Sequence, residues 1–341
     1  MNFDLTRQSL FTTIFYFILL TAVFWGGWVV GGLPEAADNT PLNYGTPAGV
    51  LIDSWFARFP LAGIVLSTLL VFVNSMLVTR LTIRSVFFME KSYMPALVYL
   101  LISSGYYNSH MSFRPLLASL AILIGSGLIL RSYDVKHLMS GGWVTIGFCF
   151  GIAALIYAPA AGFVLMVFIA LMLFRMFDIR EWLSAITGIA LPIVLVLYIV
   201  WFMGNDAGTV VTNYRDALLT YNGTMPGISD VTPVEWLFLG TVALTAVLGV
   251  FSFARHQTSG SRKPVKAFVY FLWMTLLAFA ILFAPCRSIF QLPLAAMGLA
   301  VIIPAYFNGR KPSLVSNLLY ALLIISAVAI HIVPLINDHL L

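Results

Sequence analysis

Residues 142–175 read GWVTIGFCFGIAALIYAPAAGFVLMVFIALMLFR, and how this run divides decides the fold. It holds no charge before its last residue, Arg175. As one helix its thirty-four residues would reach about 50 Å at 1.5 Å per residue, against roughly 30 Å of hydrocarbon in a bilayer. Tyr157-Ala158-Pro159 offers a break, because proline has no N–H for the preceding ladder and clashes with the carbonyl four residues back. Basic residues flank both ends, Arg131 and Lys136 before, Arg175 and Arg180 after. Two crossings return the chain to the side it started from, as that charge pattern requires. The spacing predicts a tight helical hairpin, 142–157 and 160–175.

The rest of the chain reads the same way. Of its 341 residues, 61% are hydrophobic and 9% charged, where a soluble domain carries roughly 25% charge. In lipid every backbone group must pair within the protein, which leaves helices or a closed barrel. Barrel strands alternate apolar and polar residues, and the long unbroken apolar runs here do not. The expected class is an all-α integral membrane protein of about eleven transmembrane helices. The spans are 10–30, 61–79, 92–107, 115–131, 142–157, 160–175, 183–203, 235–254, 267–285, 288–307 and 314–336. The third is short and opened by Pro95. Phe11–Val30 is too long for a signal-peptide core and reads as a first span. The two cysteines, Cys149 and Cys286, predict neither a disulfide framework nor a thiolate cage.

Orientation follows from Lys and Arg in the loops. One side holds fourteen: Arg7, Arg80, Arg84, Lys91, Arg131, Lys136, Arg175, Arg180, Arg255, Arg262, Lys263, Lys266, Arg310 and Lys311. The other holds four, Arg58, Arg114, Arg215 and Arg287. The richer side is expected to be cytoplasmic, with the N-terminus there and the C-terminus outside. The net charge of +5 is then topogenic, and no nucleic-acid partner is implied. Two outer loops are long, 31–60 and 204–234, and long loops in compact proteins are commonly functional. Within the first, Leu51–Phe59 has the pattern of a short interfacial helix. The stretch 255–266 reads as a cytoplasmic linker between an N-terminal bundle (1–254) and a C-terminal three-helix segment (267–341).

The candidate chemistry lies in the outer loops. Guanidinium groups match phosphate oxygens two-pronged, which makes Arg114, Arg215 and Arg287 candidate phosphate ligands. Glu35, Asp38 and Asp53 share the first loop, where one carboxylate would serve as general base or metal ligand. The plainer readings are a headgroup-snorkelling arginine and a solvated acid. His110 and His331 are further candidates, the latter because an ionisable residue within a span marks a site by default; a hydrogen-bonded structural histidine is the plainer reading. The five histidines form no ligand pair at helical spacing, so no metal site is expected, and no cofactor is specified. Asn74 and Ser75 read as bridges between neighbouring helices. Gly26, Gly27, Gly31 and Gly32 read as a close helix approach, with Trp25 and Trp28 at the interface. No acid or base falls in the middle of a span, as ion-coupled carriers need, and no phosphate-binding glycine loop is present.

The stretch from Asn74 to Gly204, with its basic loop RLTIRS, LLISSGYY, RPLLASLAILIGSGLILRSYD, GIAALIYAP, the Arg180-Glu181-Trp182 triplet and Gly188 followed by Pro192, resembles a family of multi-spanning inner-membrane proteins from Bacteroidota. That family has no established activity. The resemblance implies a bacterial inner (cytoplasmic) membrane. A looser likeness joins the overall plan to GT-C class lipid-linked sugar transferases, which share the helix number, the inside N-terminus and a long acidic first outer loop. In many of these enzymes two acids stand adjacent early in that loop; Glu35 and Asp38 here do not.

Three functions are compatible with this reading. The first is transfer or polymerisation of polyprenyl phosphate-linked sugars at the outer face, with membrane lipid as partner. The second is a non-catalytic subunit or scaffold of an envelope assembly, with membrane-protein partners. The third is an uncoupled lipid or solute carrier.

Overall fold

A computed structural model describes residues 10–31, 46–85, 92–105, 112–132, 141–204, 206–219, 232–256, 262–286, 289–308 and 314–340. Among them there is helix and no strand. In chain order the helices are α1 (Leu10–Gly31), α2 (Pro47–Arg58), α3 (Pro60–Arg84), α4 (Met94–Ser103), α5 (Phe113–Ser132) and α6 (Gly141–Ile156). After a 3-10 segment (Ala158–Val164) follow α7 (Leu165–Leu173), α8 (Ile179–Phe202), α9 (Ala207–Leu219), α10 (Pro233–His256), α11 (Arg262–Ile281), α12 (Leu292–Asn308) and α13 (Leu314–Leu340). Among the described residues six helices are long and apolar enough to cross a membrane, and five shorter apolar helices accompany them. The chain is a helical membrane protein.

The break expected at Tyr157-Ala158-Pro159 is present. α6 stops at Ile156, Tyr157 is extended, and Ala158–Val164 forms a 3-10 turn before α7. The short helix expected at Leu51–Phe59 begins earlier than the sequence indicates, at Pro47, where proline suits a first turn whose N–H groups lack partners anyway. Within 255–266, α10 runs on to His256 and α11 already includes Arg262–Lys266.

The third expected span, 92–107, departs most. Its helix, α4, has ten residues, all buried, and at about 15 Å reaches half-way across a bilayer. It packs against α12, α3, α1 and α13. Its polar contacts lie inside the bundle. The Asn74 Nδ2 on α3 donates to the Leu116 carbonyl (2.9 Å) and Ser119 Oγ (2.8 Å) of α5, and lies 3.2 Å from Tyr99 Oη of α4. Tyr99 and Ser119 complete the triangle at 3.1 Å. Asn74 thus bridges three helices as expected. Ser75 does not, since its hydroxyl turns back to the Phe72 carbonyl of its own helix. Gly26 is not a close-approach site either: a methyl there would meet nothing within 4 Å.

Close approach occurs instead between α6 and α8. A methyl on Gly147 would strike the Ala185 carbonyl and come within 2.9 Å of the Ile189 nitrogen; one on Gly151 would come within 2.7 Å of both the Ile189 oxygen and Pro192 Cγ. Gly147 and Gly151 are one turn apart, the small-residue spacing that lets helices touch backbone to backbone where lipid offers no hydrophobic drive. From the other side, a methyl on Gly188 would strike the Val144 carbonyl. α8 buries only Ala185, Gly188 and Pro192, and presents Ile186, Val194, Leu195, Ile199 and Phe202 outward. In water this would be an aggregation hazard; in lipid it is an ordinary outer helix.

Glycine inside a helix normally costs about 0.5–1 kcal/mol relative to alanine. Gly188→Ala is expected to reverse that sign, destabilising by about 1–3 kcal/mol through overpacking. Gly240→Ala on α10, where a methyl meets nothing within 4 Å, is expected to be neutral or stabilising. Thermal unfolding of both variants in detergent checks the pair.

Candidate functional site

The break after α6 sets up the site. A helix end leaves its last carbonyls without intrahelical donors. At α6 the Ala153 carbonyl takes the Tyr157 N–H (3.1 Å). The Ile156 carbonyl takes the Thr46 hydroxyl (3.1 Å), and the Ala154 carbonyl takes the Tyr214 hydroxyl (3.1 Å). Thr46 precedes α2 and does not cap that helix with its own side chain; its hydroxyl is spent on α6. Tyr214 belongs to α9. The two short helices outside the candidate spans are therefore hydrogen-bonded to one helix end.

α2 reaches the bundle through its charge. Asp53 Oδ1 accepts from Arg114 Nε at 2.6 Å, and Asp53 Oδ2 pairs with Arg114 Nη2. This is the side-on, two-point pairing that a planar guanidinium and a carboxylate make best. Arg114 is the second residue of α5, where the N-terminal end of the helix dipole disfavours a cation; the carboxylate offsets that. Gly49, one turn before Asp53, leaves room for two side chains: a methyl there would strike Thr46 Oγ1 and lie 3.0 Å from Arg114 Cζ and Nη1. Phe56 of α2 packs edge-on against Phe113, with centroids 4.6 Å apart. The Arg114 side chain is 9% exposed and that of Asp53 39%. The outward face of α2 carries Val50, Leu51 and Trp55, so this helix turns an acid to the protein and apolar groups to its surroundings.

Of the other sequence candidates, Arg215 and His331 do not join this pair. Arg215 on α9 contacts its neighbour Asp216, with Nε 3.1 Å and Nη2 3.0 Å from Oδ1, and both side chains are exposed. His331 on α13 is buried; its Nε2 lies 2.7 Å from the Ser104 carbonyl, just past the end of α4, and its ring stands 4.6 Å from that of Phe24. A carbonyl only accepts, so Nε2 carries the proton. The histidine thereby closes the end of α4. Glu35, Asp38, His110 and Arg287 lie outside the described residues. Among the described residues no three His, Cys, Asp or Glu side chains gather as a metal site.

Thr46, Gly49 and Tyr214 join the site without any signal in the sequence. Burial, with a smaller electrostatic contribution from Cys286, pushes the Tyr214 hydroxyl up to about 12, and burial likewise raises the Cys286 thiol. Tyr214 therefore stays protonated at neutral pH and acts as a donor. The pair itself engages both Asp53 carboxylate oxygens with the guanidinium.

A profile for the Family of unknown function (DUF6427) matches residues 48–336 of this chain. No curated protein and no solved structure matches it.

The unequal exposure of the two partners gives an unequal cost. Asp53→Asn strands a buried guanidinium and is expected to destabilise by about 3 kcal/mol, the lower end of the range for breaking buried pairs. Arg114→Leu leaves a carboxylate that water reaches and is expected to cost roughly 1 kcal/mol. Melting of the two variants in detergent, compared with the double variant, checks the asymmetry.

Proposed function

The chain belongs to the Family of unknown function (DUF6427), and from that premise we propose a non-catalytic membrane subunit whose outer end is a closed platform latched by Asp53 and Arg114. The observation that carries this reading is that the buried guanidinium is already neutralised by the carboxylate. Neither group is left in the state its catalytic or phosphate-binding role would need. The latch holds α2 with its apolar face outward, where it lies along the membrane surface. The membrane is a bacterial inner membrane with the N-terminus in the cytoplasm; eleven apolar segments lie in it, of which α4 is too short to reach across as a helix. This reading draws on six helices long enough to cross, five shorter apolar ones, and the uneven loop charge.

A second reading keeps one specific observation, the partial exposure of the Asp53 side chain. In it, the phosphate of a polyprenyl-linked sugar displaces Asp53 from Arg114. The freed carboxylate then serves as base or metal ligand for sugar transfer.

Topology is checked by labelling single cysteines, in a background lacking Cys149 and Cys286, with a membrane-impermeant maleimide. Thr212→Cys on α9 is expected to react in intact cells, and Ala254→Cys near the end of α10 only after permeabilisation; the reverse pattern overturns the orientation.

Function is checked by mass spectrometry of lipids that co-purify with the full chain, its Asp53→Asn variant and its Arg114→Gln variant. The platform reading expects bulk phospholipid in all three. A polyprenyl phosphate retained by the wild type, enriched in Asp53→Asn because its competitor is gone, and lost in Arg114→Gln would overturn it in favour of sugar transfer.

A further inference from the structure

At the opposite end of α3 from the α2 contact, a cleft of about 560 Å³ is lined by Met76, Thr79, Arg80, Ile83, Arg84 and Tyr93. Arg80 and Arg84 are exposed, and among the described residues neither forms an ion pair or a hydrogen bond. They stand one turn apart on the same face, where like charges repel. The helix dipole accounts for Arg84, in the last turn, but its influence fades before Arg80, one turn earlier. Thr79, between them and the core, donates its hydroxyl to the Ser75 carbonyl at 2.9 Å. Two neighbouring guanidinium forks with a phenol beside them form a receptor for a phosphate oxyanion.

The surface that leads to the cleft identifies what carries the phosphate. Val65, Leu69 and Phe72 are exposed apolar residues of α3. With Met76 they continue, at steps of three and four residues, the face that carries Arg80 and Arg84. From Arg80 back to Leu69 is about 16 Å of helix, close to the hydrocarbon of one leaflet. An acyl chain hanging from a headgroup held at the arginines would run along this stripe.

We infer that Arg80, Arg84 and Tyr93 form a headgroup site for an anionic phospholipid, with its acyl chain lying along the Leu69–Met76 face of α3. The site is independent of the Asp53–Arg114 pair and uses arginines that were read from the sequence only as markers of orientation. Basic pockets beside spanning helices are the sites where acidic headgroups are held.

The test is native mass spectrometry of the full chain in detergent, titrated separately with phosphatidylglycerol and phosphatidylcholine. The wild type is expected to take up the anionic lipid preferentially. Arg80→Gln/Arg84→Gln is expected to lose roughly thirtyfold in affinity for it, about fivefold per arginine. Arg80→Lys/Arg84→Lys, which keeps the charge but not the two-pronged fork, should recover only part of the loss. Arg131→Gln/Arg255→Gln, two exposed arginines on other helices, should stay within about twofold of wild type. Equal losses in the two Gln pairs would reduce the site to general surface charge and overturn the inference. Competition by millimolar inorganic phosphate, with no effect of the acyl chains, would assign the cleft to soluble phosphate and overturn the lipid. Melting temperatures of all variants separate lost binding from lost fold.

Discussion

A carbonyl at the end of a helix inside an apolar bundle has no water to turn to, and the arrangement of this protein follows from where such carbonyls find donors. α6 ends where Pro159 forbids continuation, and α4 ends half-way across the bundle. The donors arrive from far along the chain: Thr46 and Tyr214 at the end of α6, His331 at the end of α4. Segments that look like connections are thereby fixed parts of the fold. Residue 46 cannot be moved without exposing the end of α6, and α2 begins at the next residue.

The same economy explains the pair at the start of α5. Burying a lone guanidinium at a helix N-terminus is unfavourable twice over, by desolvation and by the dipole. A carboxylate supplied by α2 offsets both. The two ends of α3 then differ in kind. Near its start, an arginine from a neighbouring helix is neutralised within the protein. Near its finish, two of its own arginines meet only what the surroundings bring. Charge counted along the sequence treats these groups alike, although one belongs to the interior and two to the exterior.

What the sequence reveals divides along physical lines. Spanning helices are legible because hydropathy accumulates over some twenty residues, and the break at Tyr157-Ala158-Pro159 because proline acts locally. Depth is not legible: MPALVYLLIS has a span's composition, and only its neighbours make it a buried half-helix. α9 escaped notice because AGTVVTNYRDALL mixes short apolar and polar residues without a run long enough to signal. Asp53 and Arg114 were both singled out, but sixty-one residues separate them and no local pattern announces their pairing. The Gly147–Gly151 spacing was readable, whereas its partner surface on α8 became clear only from the packing.

The short helix α4 also imposes an order on synthesis. Its last carbonyl partner, His331, is 227 residues from Ser104. At roughly 5–20 residues per second that histidine leaves the ribosome about 10–50 s later. In that interval the segment around α4 is already in the membrane with one end unsatisfied and its α12 neighbour not yet made. The centre of this protein is therefore among the last parts to be completed. Loss of the chain from His331 onward would leave a gap at the middle of the molecule rather than at its edge.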